Sequence, residues 1–125
     1  MGRGMDKNGG RDVREFLPLS PAALHILLAL AGEDLHGYGI MQEIARQSEG
    51  KYKVGPGTLY DNLKKLLRQG LVEETAIRAA EDDPRRRYYR LKGLGRGVLA
   101  AEAERLDGVV REARAHLRLL KPRRA

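Results

Sequence analysis

Residues 55–70 read Gly-Pro-Gly-Thr-Leu-Tyr-Asp-Asn-Leu-Lys-Lys-Leu-Leu-Arg-Gln-Gly. Gly55-Pro56-Gly57 is a sharp break, and the residues after it divide cleanly by type. Leu59, Leu63, Leu66 and Leu67 recur at helical spacing and form one apolar stripe. Thr58, Asp61, Lys64, Lys65 and Arg68 fall on the opposite side, and Gly70 stops the helix. A helix divided in this way can bury its leucines and still present a basic face to a major groove. Its neighbours decide whether that reading holds.

Upstream lie two more helical segments. Ser20 is a good N-cap and Pro21 suits the first helical position, where a missing N–H costs nothing. Leu24, Leu27, Leu28 and Ala31 then follow helical spacing up to Gly32. His36-Gly37-Tyr38-Gly39 leads into a second helix with Ile40, Met41, Ile44 and Ala45 on its apolar face, fading at Ser48-Glu49-Gly50. Downstream, residues 71–77 read as a strand and residues 81–85 as a turn. Arg87-Tyr88-Tyr89-Arg90-Leu91 reads as the returning strand. Tyr88 and Tyr89 alternate, so one is expected to face the core, and the other to pack against the last helix or touch DNA. The hairpin tip carries Arg85, Arg86 and Arg87. Alone, such a run is a solvated turn; beside a basic helix it can reach phosphates or a narrow minor groove.

A long helix closes the chain from about residue 94 to 120. Leu99, Ala103, Leu106, Val110, Ala113, Leu117 and Leu120 are spaced alternately four and three apart, a heptad seam. The earlier helices have faces enough for each other, so this seam calls for a second copy of the chain. A two-fold dimer would place two recognition helices in successive major grooves, roughly 34 Å apart, on a pseudo-palindromic site. The fold class expected is therefore mainly α with a small β-hairpin: a winged helix-turn-helix followed by a C-terminal dimerisation helix. Residues 1–16 read as a flexible arm, 17–92 as the winged domain, 93–121 as the dimerisation helix and 122–125 as a basic tail.

Charge agrees with this order. Of the net +7, residues 78–125 carry fourteen basic and seven acidic side chains, while residues 18–77 carry six and seven. The asymmetry favours a polyanionic partner, double-stranded DNA before an anionic membrane. Cysteine is absent, which excludes disulfides, thiolate metal sites and a cysteine nucleophile and fits a cytoplasmic location. No stretch approaches the roughly 18 apolar residues of a membrane span. Gly55-Pro56-Gly57-Thr58 lacks the lysine of a phosphate-binding loop, and no nucleophile motif is present, so no enzyme is expected. His25, His36 and His116 fit no ligand spacing, so neither metal nor cofactor is expected.

Three blocks carry a family resemblance. Leu35-His36-Gly37-Tyr38-Gly39-Ile40 resembles the LHGYEI stretch of the PadR family of bacterial transcription regulators. Gly55 to Tyr60, with Leu63, Leu66 and Gly70-Leu71-Val72, resembles its SPGTLYPxLxxLxxxGLI block. Arg86 to Leu91, followed by Gly95, resembles RRKYYRLTxxG. Together they span roughly residues 19–97. The resemblance implies a homodimeric winged helix-turn-helix repressor, relieved in some members by a small hydrophobic effector. It assigns DNA contacts to Tyr38, Thr58, Leu59, Tyr60 and Lys64, and to Arg85 and Arg86 on the wing. The basic helix face adds Lys65 and Arg68. Asp61 departs from the family's proline, and Lys92 from its helix-capping threonine. Gly93, Gly95 and Gly97 are expected to loosen the start of the last helix. The single C-terminal helix matches the short-tailed branch of the family. A rival reading is a protein-interaction module that pairs residues 99–120 with a different chain.

Overall fold

The computed structural model describes residues 12–75 and 87–120, the side chains of 119 and 120 excepted. Residues 1–11 of the expected arm, the turn at 81–85, the wing arginines Arg85 and Arg86, and the basic tail lie outside the described residues.

The elements are a 3-10 turn (Val13–Phe16), α1 (Pro21–Leu30), β1 (Leu35–His36), α2 (Gly37–Gln47), α3 (Pro56–Gln69), β2 (Val72–Thr75), β3 (Tyr88–Leu91) and α4 (Gly93–Leu120). Helix α1 starts as its residues dictate: Ser20 accepts the Ala23 N–H at 3.1 Å and Pro21 occupies the first turn. Helix α3 ends on Gly70 at φ +79°, with the Leu71 N–H reaching Leu66 O and the Gly70 N–H reaching Leu67 O. This pair of bonds satisfies two otherwise orphaned carbonyls and needs the left-handed conformation that glycine adopts freely.

The core lies where α1, α2 and α3 meet the sheet and the first turns of α4. Ile26, Leu27, Ile40, Ile44, Leu59, Leu63, Leu71 and Val98 are essentially inaccessible. The apolar stripe expected on α1 is out of phase. Ala22, Ala23, Ile26, Leu27, Ala29 and Leu30 are buried, whereas Leu28 is exposed and Leu24 half-buried. Nearly every residue of this helix is apolar, so periodicity alone could not choose its face.

The sheet has three antiparallel strands in the order β1-β3-β2 rather than a lone hairpin. Leu35 pairs with Tyr89 and His36 with Tyr88; on the other side Val72 pairs with Leu91 and Thr75 with Tyr88. Strand β3 is thus central, and both its tyrosines are buried. Tyr89 joins the helical core, while the Tyr88 ring lies 5.2 Å from the His36 ring. The expectation that only one tyrosine would face the interior is therefore corrected: both are buried. The extra strand covers β3 on its second edge, and His36 shields the second ring.

Two further expectations change at the termini of the described body. Val13–Phe16, assigned by composition to the arm, is a 3-10 turn capped by Asp12, with Val13 and Phe16 packed on the core. The start of α4 is closely fitted rather than loose. A Cβ on Gly95 would sit 2.1 Å from the Leu71 carbonyl oxygen, which also accepts the Lys92 N–H at 3.0 Å. Glycine is required there for the close approach of helix to backbone. One turn beyond Val98, Glu102 is 1% exposed. Its carboxylate accepts the Leu19 N–H at 3.1 Å and two bonds from Arg105 at 2.7 and 3.0 Å. Those bonds, Arg105 first, hold the carboxyl below its ordinary pKa despite its burial.

Candidate nucleic-acid interface

Helix α3 divides as its sequence demands. Leu59, Leu63 and Leu66 face inward, and Thr58, Tyr60, Asp61, Lys64, Lys65 and Arg68 are exposed. Leu59 was expected to contact DNA, but it is 0% exposed and part of the core. It shares the i, i+4 line with Leu63, so it cannot leave that face without emptying the core. Among the described residues Lys64, Lys65 and Arg68 enter no ion pair, whereas Arg87 and Arg90 on the sheet do. The helix therefore keeps three cations free for a partner.

Helix α2 supports α3 from one side. Tyr38, on its first turn, is 61% exposed. Gly37 beside it is buried, and a Cβ there would lie 2.0 Å from the Tyr60 hydroxyl oxygen. The Tyr60 ring is seated against the first residue of α2, yet the side chain remains 47% exposed. It thus joins the two helices while facing the same solvent as Tyr38 and Lys64.

The sheet supports α3 from the other side. A shallow groove of about 300 Å³ runs between them, lined by Tyr60, Leu63, Lys64, Leu67, Glu74, Arg87 and Tyr89. Its floor is apolar and its rim charged. Arg87 Nη1 lies 3.0 Å from Glu74 Oε1 and 3.3 Å from Oε2, across the two strands. Burial, with Glu74 and Tyr60 nearby, raises the Tyr89 hydroxyl above its ordinary pKa. Behind the groove, Arg90 donates to both oxygens of Asp34 at 2.9 and 3.3 Å, tying β3 to the segment before β1. The pair of Glu74 with Arg87 was not anticipated, although antiparallel pairing brings the end of β2 beside the start of β3.

The structure brings Tyr38, Thr58, Tyr60, Lys64, Lys65 and Arg68 together on exposed α2 and α3 surface. The expected dimer seam lies elsewhere, on α4. Leu99 packs partly on the core and Leu106 is half-buried, while Ala103, Val110, Ala113 and Leu117 are exposed; the Leu120 side chain lies outside the described residues. Leu117 is 64% exposed, and Val109, which the heptad reading passed over, is exposed beside the seam. Among the described residues no cluster of three or more His, Asp or Glu could hold a metal, and no helix is long and apolar enough to cross a membrane.

Known proteins share both the sequence and the arrangement. Residues 26–101 match the transcriptional regulator PadR-like family. Transcriptional regulator Rv3488 of Mycobacterium tuberculosis is 35% identical over 100 residues, spanning 80% of this chain and 88% of that protein. Among solved structures, a PadR family transcription regulator from Clostridium difficile superposes with a TM-score of 0.67 at 20% identity, over 78% of this chain and 99% of that one. A transcriptional regulator from Clostridium thermocellum gives 0.64 at 22% identity, over 82% and 94%. At these identities the two structures speak to the fold, a mainly helical body with a small antiparallel sheet and a long last helix.

Proposed function

The chain belongs to the PadR-like family of transcriptional regulators, and on that premise we propose that it is a homodimeric repressor of a pseudo-palindromic DNA operator. The family is one of regulators rather than enzymes. The observation that carries the reading is α3: three buried leucines behind three unpaired exposed cations.

In this reading α3 enters the major groove, with Thr58, Lys64, Lys65 and Arg68 toward the DNA. Tyr38 and Tyr60 reach the phosphates beside it. Arg85 and Arg86 act from the wing, and Leu59 has no part beyond the core. The unit from about residue 17 to 92 reads DNA, and α4 pairs with its counterpart through Leu99, Ala103, Leu106, Val110, Ala113, Leu117 and Leu120. The exposure of Val110 and Leu117 supports that role, since apolar side chains of one helix face gain most by meeting another chain. A small hydrophobic effector would act at the paired α4 helices, and the regulator would work in the cytoplasm.

The deciding experiment is a fluorescence-anisotropy titration against DNA from upstream of the protein's own gene, with unrelated DNA as control, at two salt concentrations. Binding with dimer stoichiometry that exceeds the control and weakens steeply with salt is expected. Equal weak binding to both DNAs would refute operator recognition. Arg85→Ala is expected to weaken binding to every sequence, and Lys64→Ala to change sequence preference.

A further inference from the structure

The groove between α3 and the sheet holds a carboxylate where the proposed function wants none. Glu74 sits on β2, about half exposed, with Tyr60 and Lys64 across the groove and Arg87 at hydrogen-bond distance. A carboxylate on a phosphate-facing rim repels DNA. Nor is it needed for folding: the pair is exposed on both sides, Glu74 at 44% and Arg87 at 68%, and exposed pairs contribute little to stability. Both side chains adjoin α3, whereas the other sheet arginine, Arg90, is turned to Asp34 and Glu73.

We propose that Glu74 is an intramolecular competitor for the DNA backbone: it holds Arg87 in the free protein and surrenders it to a phosphate when DNA enters the groove. This rests on the DNA-binding reading above and assigns that interface a residue that lowers affinity. Exchange of one acceptor for another leaves Arg87 charge-assisted in both states, so the free energy gained at the phosphate is reduced by the pair that is broken. Glu74 remains beside the bound DNA as an unpaired anion. The device sets a threshold. DNA that seats α3 fully brings a phosphate close enough to capture Arg87, while DNA held loosely by charge alone does not. Glu74 thereby takes the full strength of its pair with Arg87 from operator binding, and takes less from non-operator binding, where the pair stays closed.

The test compares wild type, Glu74→Gln, Arg87→Gln and the double variant. Each is titrated with an operator fragment and an unrelated duplex over a salt series, with thermal melting to confirm folding. Glu74→Gln keeps the side chain's shape and removes its charge. It is expected to raise affinity for operator by about five-fold and for unrelated DNA by less. It is also expected to steepen the dependence of log affinity on log salt by up to about 0.9, one phosphate's worth. In the Arg87→Gln background the same change is expected to raise affinity by less than about two-fold, because the competed side chain is gone. An undiminished gain in that background overturns the proposal, since Glu74 would then act by its own charge and not through Arg87. A loss of affinity in Glu74→Gln overturns it too, because the carboxylate would then be positioning Arg87 for DNA. If wild type binds operator and Glu74→Gln behaves identically, this inference falls and the DNA-binding reading stands. If no variant binds any DNA, both fall.

Discussion

Helix α4 lives in two environments. Its first ten residues lie under the winged body, with Gly95 against the Leu71 carbonyl, Val98 in the core and Glu102 bound to the Leu19 N–H. Its later turns leave that body, and there Val109, Val110 and Leu117 stand in solvent. The first part is built to hold the helix at a fixed place on its own chain; the second offers apolar side chains that nothing among the described residues covers. The lesson concerns what a periodic stripe means. Of the heptad, Leu99 still touches the core and Leu106 is half-buried, so the seam describes the projecting part only from Val110 onward. The anchoring part uses a different line, Leu94, Val98 and Glu102, on which the last member is charged.

Substitutions that exchange the behaviour of the two parts are the way to break this contrast. The largest effect is expected at Gly95→Val. A Cβ there meets a backbone oxygen that cannot move aside, and urea unfolding should show a loss of about 3 kcal/mol. An unchanged denaturation midpoint would mean that α4 is not seated on Leu71. Next comes Glu102→Ala, which removes the acceptor of the Leu19 N–H and the partner of Arg105; about 2 kcal/mol is expected in the same assay.

Acid should reproduce part of that second loss. The Glu102 pKa is lowered in the folded state, chiefly by Arg105. Its contribution is therefore fully present above the unfolded carboxyl value near 4.5 and is lost as pH falls through the folded value. Glu43, lowered by Arg46, adds to the same limb, so the informative quantity is the difference between wild type and Glu102→Gln. The variant's stability should fall less steeply on acidification, and parallel curves would remove Glu102 from the account. The smallest effect on the fold of one chain is expected at Leu117→Lys, within about 0.5 kcal/mol. Its consequence is for assembly: sedimentation should show the monomer, with a melting temperature that no longer rises with protein concentration. A dimer that survived this change would place the subunit contact off the seam.

The sequence made α3 legible because its leucines and its charges never share a face and because Gly70 marks its end. Ser20 and Pro21 announced α1 equally well, and the β3 tyrosines marked a strand. What stayed hidden has physical reasons. The buried face of α1 could not be phased because its apolar residues surround it. Strand β1 has two residues, too few to show an alternation, and is visible only through its pairing with β3. Leu59 sits inside a motif whose neighbours Thr58 and Tyr60 are exposed, and the motif reading took all three together. Its place on the Leu63 line was the available signal. Glu102 was hidden because a glutamate among arginines on a long helix ordinarily faces water. Only its position, four residues after Val98, marks it as inward. Glu74 and Arg87 occupy separate strands, and their meeting depends on the register of a hairpin.

The contact of the Tyr60 hydroxyl with Gly37 ties together two positions far apart in the chain. For divergence within such a lineage the tie couples the two positions. While the phenol is present, a side chain at 37 must push the half-exposed Tyr60 hydroxyl from its place, so a change at 37 carries a cost. Once position 60 exchanges tyrosine for something smaller, position 37 is released and can acquire an alanine, which suits a helix better. After that second step a returning tyrosine has to find another seat, because the space its hydroxyl occupied has been filled. A single contact thus sets which order of substitutions costs less.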